Sequence, residues 1–387
     1  MTSGWRADRV ARLAALCGLS AAAACSESGA GAARDSRPAR VAEVELEVGA
    51  QDGSAEESFS GIAGLAIDGR GRIYVADTRD SEIRVFDREG AFLFRIGRQG
   101  GGPGEFEGPC CLRFDGGGRL WVRDGGNARY SVFSVGDSGA EFRFIVRMAH
   151  GDANFWAPIY FDDAGRVIDI GHRPEADRFD QMHFHVDSSG VVVDTVRIPA
   201  APAESIGVKA VERTGPGGPY RRFFYPPFGA RDLIAHGERG EYAKALSSVY
   251  RVAWYDPKGR LLRTIARDGQ VGAPIRDDER AEAEERITED VRRFGLPASD
   301  RFTVPERKPP LSGLVFDRSG RLWVLRSTTR GSPRTADVWD RTGRHVFTAE
   351  WPADVDLSFN ATIDDTLTIA IARDSLDVER VVRLRWR

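Results

Sequence analysis

The chain has 387 residues, more than a single ordinary domain core usually contains. Hydrophobic residues make up 41% of it and charged residues 29%, so the chain can build a packed core and is not disordered as a whole. The formal net charge is -3. Because nucleic-acid binding relies on an excess of basic side chains, this balance argues against a nucleic-acid partner.

The first 24 residues have the pattern of an export signal. Arg6, Arg9 and Arg12 precede an apolar run over residues 13–24, which is too short to cross a membrane and fits the apolar part of a signal peptide. No other segment of the sequence is apolar enough to span a bilayer. We therefore predict a signal peptide over residues 1–24 and an exported protein.

The residues that follow the signal resemble a bacterial lipoprotein site. Three Ala residues precede Cys25, which implies that Cys25 is lipidated and becomes the first residue of the mature protein. Ser26 is similar to the second residue of lipoproteins that reach the outer membrane, which implies a periplasmic, outer-membrane location. The alternative is ordinary cleavage after Ala-x-Ala, which would give a soluble exported protein. Residues 25–39 are small and polar, as expected of a flexible tether.

Two further cysteines, Cys110 and Cys111, are adjacent in a predicted strand. Neighbouring strand residues point to opposite faces, so a disulfide between them is not expected. The sequence contains no C-x-x-C motif of a metal site. We predict two buried, unpaired thiols.

A motif of eight residues repeats along the chain with a period near 47. The copies are Asp68–Val75, Asp115–Val122, Asp317–Val324 and a shortened one that begins at Asp163. In each copy Asp can accept hydrogen bonds from turn amides, Gly can take a positive φ, and the chain returns as an aromatic and β-branched strand. A second turn from Asp to Gly follows most copies, and these turns end at Gly90, Gly190, Gly259 and Gly343. Two hairpins per repeat predict four-stranded units, as in propeller blades.

The first repeat carries the residues of a known family. Gly61–Asp68, Ile73–Asp77, Ile83–Asp87 and Gly102–Phe106 strongly resemble an NHL repeat. From about residue 40 the whole chain is similar to the six-bladed propeller lipoproteins related to NHL proteins. The resemblance implies an all-β fold of six four-stranded antiparallel blades, which is a fold that hosts many functions.

We place the six blades at residues 62–108, 109–155, 156–200, 225–268, 311–350 and 354–387 of a propeller domain that spans 40–387. The last blade offers only three strand-like runs, and residues 41–48, which have regularly placed apolar positions, can supply the fourth. An N-terminal strand in that place would close the ring and remove exposed sheet edges. Seven blades remain an alternative, because two insertions interrupt the repeat.

The insertions cover residues 201–224 and 269–310. The second contains a segment rich in charge and helix formers over residues 277–294, with Ile287, Val291 and Phe294 on one narrow apolar stripe, and predicts one surface helix. The first insertion and the residues that follow it up to Phe228 are aromatic and basic. Their side chains can form a rim that binds a ligand or partner, for which we select Arg221, Arg222 and Tyr225. The alternative is an irregular insertion that its aromatic residues anchor to the propeller.

The turns between second and third strands of the blades should lie near the central funnel. Five residues past the repeated Arg, the chain has Asp77, Asp124, Gly171 and Arg326. His172, Arg173, His236 and Arg373 are expected near the same level. Such a mouth of mixed charge can bind a small polar or anionic ligand, or a divalent cation through its acids. The alternative is that the two Asp residues cap turn amides and form ion pairs with Arg.

His183 and His185 are the closest histidine pair in the sequence, and strand alternation places both on one face with Asp187. Two histidines at this spacing can ligate zinc. The strand should be the third of its blade, however, and therefore distant from the axis. The interpretation that we adopt is an exposed stripe without a function.

These observations predict a non-catalytic binding platform for an envelope protein or a small polar ligand, with no cofactor. The innermost strands are apolar where the calcium-dependent lactonases and metal-dependent lyases that resemble this fold place their ligands. The alternative is such a lactonase-like hydrolase or lyase, with Ca²⁺ or Zn²⁺ near Asp77, Asp124, His172 and His236. A scaffold in envelope assembly is a third hypothesis. We expect a monomer that contacts the membrane only through a lipid on Cys25.

Overall fold

The computed structural model describes residues 39–49, 54, 56–149, 157–175, 178–215, 218–294, 301–358 and 360–387. The predicted signal peptide, Cys25 and the tether up to residue 38 lie outside these ranges, so their assignments stay predictions. Within the described ranges, no helix is long and apolar enough to cross a membrane.

The described chain is built almost entirely of short strands. The first nine strands are β1 Ala39–Val48, β2 Ile62–Ile67, β3 Ile73–Asp77, β4 Glu82–Phe86, β5 Phe92–Ile96, β6 Pro109–Phe114, β7 Leu120–Asp124, β8 Arg129–Val135 and β9 Ala140–Arg147. The next elements are β10 Tyr160–Phe161, β11 Val167–Glu175, β12 Arg178–Val186, β13 Val192–Ile198, α1 Ala203–Ile206, β14 Lys209–Gly215 and β15 Gly218–Phe224. They are followed by β16 Asp232–His236, β17 Tyr242–Leu246, β18 Arg251–Tyr255, β19 Leu261–Ala266 and α2 Asp277–Phe294. The last are β20 Leu311–Phe316, β21 Leu322–Arg326, β22 Arg334–Trp339, β23 His345–Trp351, β24 Val355–Asp356, β25 Thr362–Ile363, β26 Leu367–Arg373 and β27 Glu379–Trp386.

Four separate sheets each contain four antiparallel strands in chain order: β2–β5, β6–β9, β10–β13 and β16–β19. They correspond to the first four predicted blades. The last two predicted blades do not form separate sheets, because β1 joins β20–β23 and β24–β27 into one sheet of nine strands. Between the third and fourth sheets, the 201–224 insertion folds into α1 and the two-stranded sheet β14–β15. The insertion is therefore a regular hairpin and not an irregular segment.

Strand β1 changes its partner along its length. Residues Ala39 to Val41 pair in parallel with β23, and residues Ala42 to Val48 pair antiparallel with β27. The second pairing is the one expected of the N-terminal strand. The first was not expected, and it is the reason why the last two units share a sheet.

The predicted Asp-to-Gly hairpins are present. Oδ1 of Asp68 accepts the backbone N–H of Arg72 at 3.0 Å, Oδ2 accepts its Nε–H at 2.7 Å, and Gly71 has a φ of 81°. In the third copy the turn residue is Asp162, which accepts the N–H of Arg166 at 3.0 Å, and not Asp163. This corrected position follows Asp115 by 47 residues, the same spacing that separates the first two copies.

Helix α2 has the bounds that the sequence predicts. Its buried side chains are Glu279, Ala283 and Ile287, four residues apart, so the buried stripe begins earlier than the predicted one. Glu279 can be buried in this stripe because Nζ of Lys308 lies 2.7 Å from its carboxylate. The helix is thus fixed to the segment that leads into β20.

The sheets are arranged in a ring. Buried apolar clusters lie between neighbouring sheets, and one of them joins the last strands to the first, with Ile369 and Val381 packed among Ile62 and Ile73. Six segments near the starts of the sheets converge on one cavity of about 280 Å³, through Leu65, Leu112, Tyr160, Ala235, Leu314 and Thr362. The fold is therefore an all-β propeller of small antiparallel sheets with two helices in the described part. We call this cavity the central cavity.

Candidate functional site

The two acids predicted at the funnel mouth have structural partners. Asp77 and Asp124 are completely buried. Asp77 accepts the backbone N–H of Ser60 at 2.7 Å and lies 3.7 Å from Nη2 of Arg84. Burial raises the pKa of the Asp77 carboxyl above its usual value. Nε of Arg129 donates to Asp124 at 3.3 Å. This is the arrangement of the alternative interpretation, in which the acids cap amides and pair with Arg.

The other predicted mouth residues do not converge on one point. Arg373 is exposed and pairs with Glu379 at 2.5 Å, whereas Arg326 borders a surface recess with Thr328. Arg173 is exposed on β11. Of these candidates, His172 lines a larger cavity, which is described below.

His236 lies at the end of its strand that is opposite to the predicted funnel mouth. It is the last residue of β16 and pairs with Tyr242, whereas Asp77 pairs with Ile62, the first residue of β2. Because β16 and β2 are both the first strands of their sheets, these positions lie at opposite strand ends. The placement of His236 near the level of Asp77 was therefore wrong.

His236 instead contacts His183 of the neighbouring sheet. The two Nε2 atoms are 2.9 Å apart, so one imidazole donates its N–H to the other. Burial lowers the pKa of His236 to about 3. Burial, followed by the neighbouring His236 and His185, lowers the pKa of His183 well below its usual value. Both rings are therefore neutral near pH 7.

The expectation that His183 and His185 form an exposed stripe was wrong, since both are buried. Nδ1 of His185 lies 2.9 Å from Asp162. In other copies of the repeat an aromatic residue of the second strand, such as Trp121, donates to the turn Asp, but Ile168 stands at that place in the third copy. His185 pairs with Ile168 across the strands and takes over this bond. The stripe is buried because each propeller sheet packs against a neighbour on both faces.

We expect the two neutral histidines to make stability depend on pH. In the unfolded chain each would titrate near pH 6.5, whereas in the folded protein both pKa values are lower. Their contribution is complete above about pH 6.5 and is lost as the pH falls below that value. Urea unfolding at several pH values should show a loss of up to about 1.4 kcal/mol per pH unit for each histidine.

A matched variant tests the cause of this dependence. His236→Phe removes one of the two groups and should make the loss between pH 6.5 and 4.5 smaller than in the wild type. Val249, which is exposed and carries no titratable group, provides a control in Val249→Ala, which should leave the slope unchanged. An equal slope in His236→Phe and the wild type would contradict the assignment.

A second cavity, larger than the central cavity, has a volume of about 540 Å³ and lies beside the third and fourth sheets. We call it the outer cavity. Its apolar wall comes from β13, α1 and the chain that leads into β16, through Ile198, Ala201, Ile206, Pro226 and Pro227. The two insertions thus complete a cavity that the sheets alone would leave open, since α2 also reaches it through Arg286.

The charges around the outer cavity are unbalanced. Nζ of Lys244 lies 3.2 Å from Asp232, so this pair is neutral as a unit. Arg231 and Arg286 also line the cavity, and both are exposed. Neither guanidinium has an ion-pair partner among the described residues. The cavity therefore combines an apolar wall with an excess of positive charge at its edge.

Of the three predicted rim residues, Tyr225 lines the outer cavity. Arg222 packs its guanidinium 3.4 Å from the centre of the Phe294 ring on α2, and Arg221 lies 4.0 Å from Glu212 on the paired strand. Of these three residues, Tyr225 thus contributes to the cavity, whereas Arg222 holds the helix.

Most of the outer cavity could not be predicted from the sequence. Lys244 and Asp232 lie in the fourth sheet, where the repeat is loose, and Arg231 directly precedes it. Gln181 lies on a third strand that was expected to be distant from the axis. Only the adjacent charged residues Arg231 and Asp232 at the start of a strand could have drawn attention to this place.

The described residues contain no group of three or more His, Cys, Asp or Glu side chains that could hold a metal ion. Cys110 and Cys111 are buried and unbridged, as predicted. They lie at a bulge between Cys110 and Leu112, where Cys111 has a φ of 52°.

Part of the sequence matches a family model, and solved structures of other proteins are similar to the chain. Residues 58–109 match the family model DUF5128, described as a 6-bladed beta-propeller. No curated protein sequence matches the chain at a significant level. Among the solved structures similar to it are three from bacteria. One is a Bacteroides fragilis protein proposed to be exported (13% identity, 89% of this chain and 95% of that one, TM-score 0.49). The others are virginiamycin B lyase from Staphylococcus aureus (9% identity, 89% and 99%, TM-score 0.39) and a Xanthomonas campestris gluconolactonase (13% identity, 89% and 99%, TM-score 0.34). With TM-scores below 0.5, these likenesses leave function to be argued from the site itself.

Proposed function

We propose that this propeller is an exported, non-catalytic binding protein whose outer cavity takes a small anion with an apolar body. One observation carries the proposal: two arginines without ion-pair partners among the described residues stand at the edge of a cavity with an apolar wall. Guanidinium groups bind carboxylates and phosphates through paired hydrogen bonds. The wall of Ile198 and Ile206 would bury the rest of such a ligand.

The proposal extends to the number of blades, the location of the protein and its partners. The joined sheet of β20–β27 with β1 counts as two blades, so the ring has six, in keeping with the six segments around the central cavity. The N-terminal pattern supports export, and the lipoprotein-like residues support lipidation of Cys25 at the outer membrane. A monomer and an envelope partner belong to the same proposal.

Calorimetric titration with octanoate tests the site, and octylamine serves as the probe of opposite charge. We expect octanoate to bind and octylamine not to bind. The double variant Arg231→Gln/Arg286→Gln should weaken octanoate binding at least about tenfold, because hydrogen bonds to charged groups contribute about 1.5–3 kcal/mol.

Arg260 provides a matched control, since it is exposed on a turn and pairs with Asp256. Arg260→Gln should bind octanoate like the wild type. No binding of octanoate, or equal binding of both probes, would contradict the proposed function.

A further inference from the structure

The outer and central cavities share two lining residues. Gln181 and Ile234 line both of them. Along β16, Asp232 lines the outer cavity, Ile234 lines both, and His236 lines the central cavity. These three residues alternate along one strand, so their side chains project from the same face. The two cavities therefore lie next to each other along this face of β16.

The facing sheet shows the same order. His172 on β11 lines the outer cavity, its cross-strand partner Gln181 on β12 lines both, and Ile170 on β11 lines the central cavity. Paired residues of neighbouring strands lie side by side on one face. Gln181 and Ile234 thus mark the place where the two cavities meet.

Gln181 offers an unused hydrogen-bond acceptor at this place. Its Oε1 atom is buried and has no hydrogen-bond partner among the described residues. An unsatisfied buried acceptor is costly, and such atoms in native proteins usually receive a bond from water or a ligand. A bound molecule that passes Gln181 and carries an N–H or O–H group would supply that bond.

The central cavity can receive the far end of such a molecule. Ser358, Asn360 and Thr362 line it together with His236. These side chains carry hydroxyl, amide and imidazole groups next to apolar ones such as Leu314. The far part of the ligand can therefore be polar, unlike the part that lies against the wall of the outer cavity.

We propose that the two cavities form one continuous site for an elongated anion that donates a hydrogen bond to Gln181. This rests on the proposed function, because the anionic end is placed at Arg231 and Arg286. The carboxylate binds there, the apolar body lies in the outer cavity, and the far end enters the central cavity. A short peptide with a free C-terminal carboxylate and a hydroxylated fatty acid share this chemistry.

Titration with four probes tests the inference: octanoate, decanoate, 10-hydroxydecanoate, whose hydroxyl lies at the end opposite the carboxylate, and the tripeptide Ala-Ala-Leu. We expect at least one of the two donor-bearing probes to bind about tenfold more tightly than its simple counterpart, which is decanoate for the hydroxy acid and octanoate for the tripeptide. The probe that gains affinity identifies the source of the ligand. Gln181→Met, which keeps the size of the side chain and removes the acceptor, should abolish this gain.

A second variant tests the central cavity without touching Gln181. Ala361 lines the central cavity, and Ala361→Phe should weaken the gaining probe about tenfold while octanoate binding changes less than about twofold. Ala361→Ser is the matched control and should bind all four probes like the wild type. Thermal melting of each variant verifies that it folds.

Different results would contradict the continuous site and the proposed anion site. If octanoate binds but neither donor-bearing probe gains, or if Gln181→Met and Ala361→Phe weaken all probes equally, the continuous site is wrong and the anion site stands. If octanoate does not bind at all, the proposed function is wrong and the inference falls with it.

Discussion

A chain that begins at residue 49 is expected to lose more than about 3 kcal/mol of unfolding free energy relative to a chain that begins at residue 39. Removal of β1 exposes the edges of β23 and β27 and takes away the buried Ala42 and Val48. The loss of one large buried side chain already costs about 2–5 kcal/mol. It also removes Glu45, which lies 2.5 Å from both Arg383 and Arg385. Urea unfolding followed by tryptophan fluorescence measures the difference.

Addition of the missing strand as a peptide provides a strict control. A synthetic peptide of residues 39–48 should restore part of the lost stability by pairing with the exposed edges, whereas a scrambled peptide of the same composition should not. Equal stability of the two truncated chains would show that β1 does not close the ring.

Asp169→Ala is expected to destabilise the protein by about 3–5 kcal/mol. Asp169 is completely buried on β11 and lies 3.0 Å from Nη1 of Arg123 on β7, so it links the second and third sheets. It also accepts the hydroxyl of Tyr130 at 2.7 Å and the backbone N–H of Ala149 at 2.7 Å. Its removal leaves the Arg123 guanidinium buried without its carboxylate, which is the costly way to break a buried pair. Urea unfolding at pH 7 measures the change.

The double variant Arg123→Met/Asp169→Ala separates charge burial from lost packing. It should be more stable than Asp169→Ala alone, because no charge is left in the interior. Arg88→Ala removes an exposed ion pair with Glu89 and should change stability by less than about 1 kcal/mol. If the double variant were no more stable than the single one, the unpaired guanidinium would not be the source of the loss.

The turns and strands of this protein could be predicted because their causes are local. The Asp side chain at Asp68 bonds amides only two and four residues away, and Gly71 supplies the positive φ. Such contacts recur wherever the same few residues recur. The error among these turn residues, Asp163 in place of Asp162, arose where two Asp residues stand together and the aromatic residue of the motif is replaced by Ile168.

The candidate site could not be predicted in the same way. Arg286 comes from an insertion, Gln181 from a third strand and Ile234 from a loosely matching repeat, and no sequence interval relates them. The positions that repeat regularly, such as Asp77 and Asp124, turned out to hold turns and strands together. In this fold the regular positions serve the blades, and the irregular ones line the cavities.

The burial of the histidines could not be predicted from the sequence either. His183 and His185 were expected on an exposed strand face, since alternation states only that two residues share a face and not what covers it. The neighbouring sheet covers this face, where His183 meets His236, 53 residues away in the chain.

Short-range patterns thus account for the strands, the hairpins, the bounds of α2 and the expected place of β1 beside the last strand, because each depends on residues close together or on one unpaired edge. Tertiary packing alone decided the parallel pairing of β1 with β23, the burial of the histidines and the position of Gln181 beside both cavities. These features depend on which sheet faces which, and the closure of a ring brings together segments whose order in the chain says nothing about their contact.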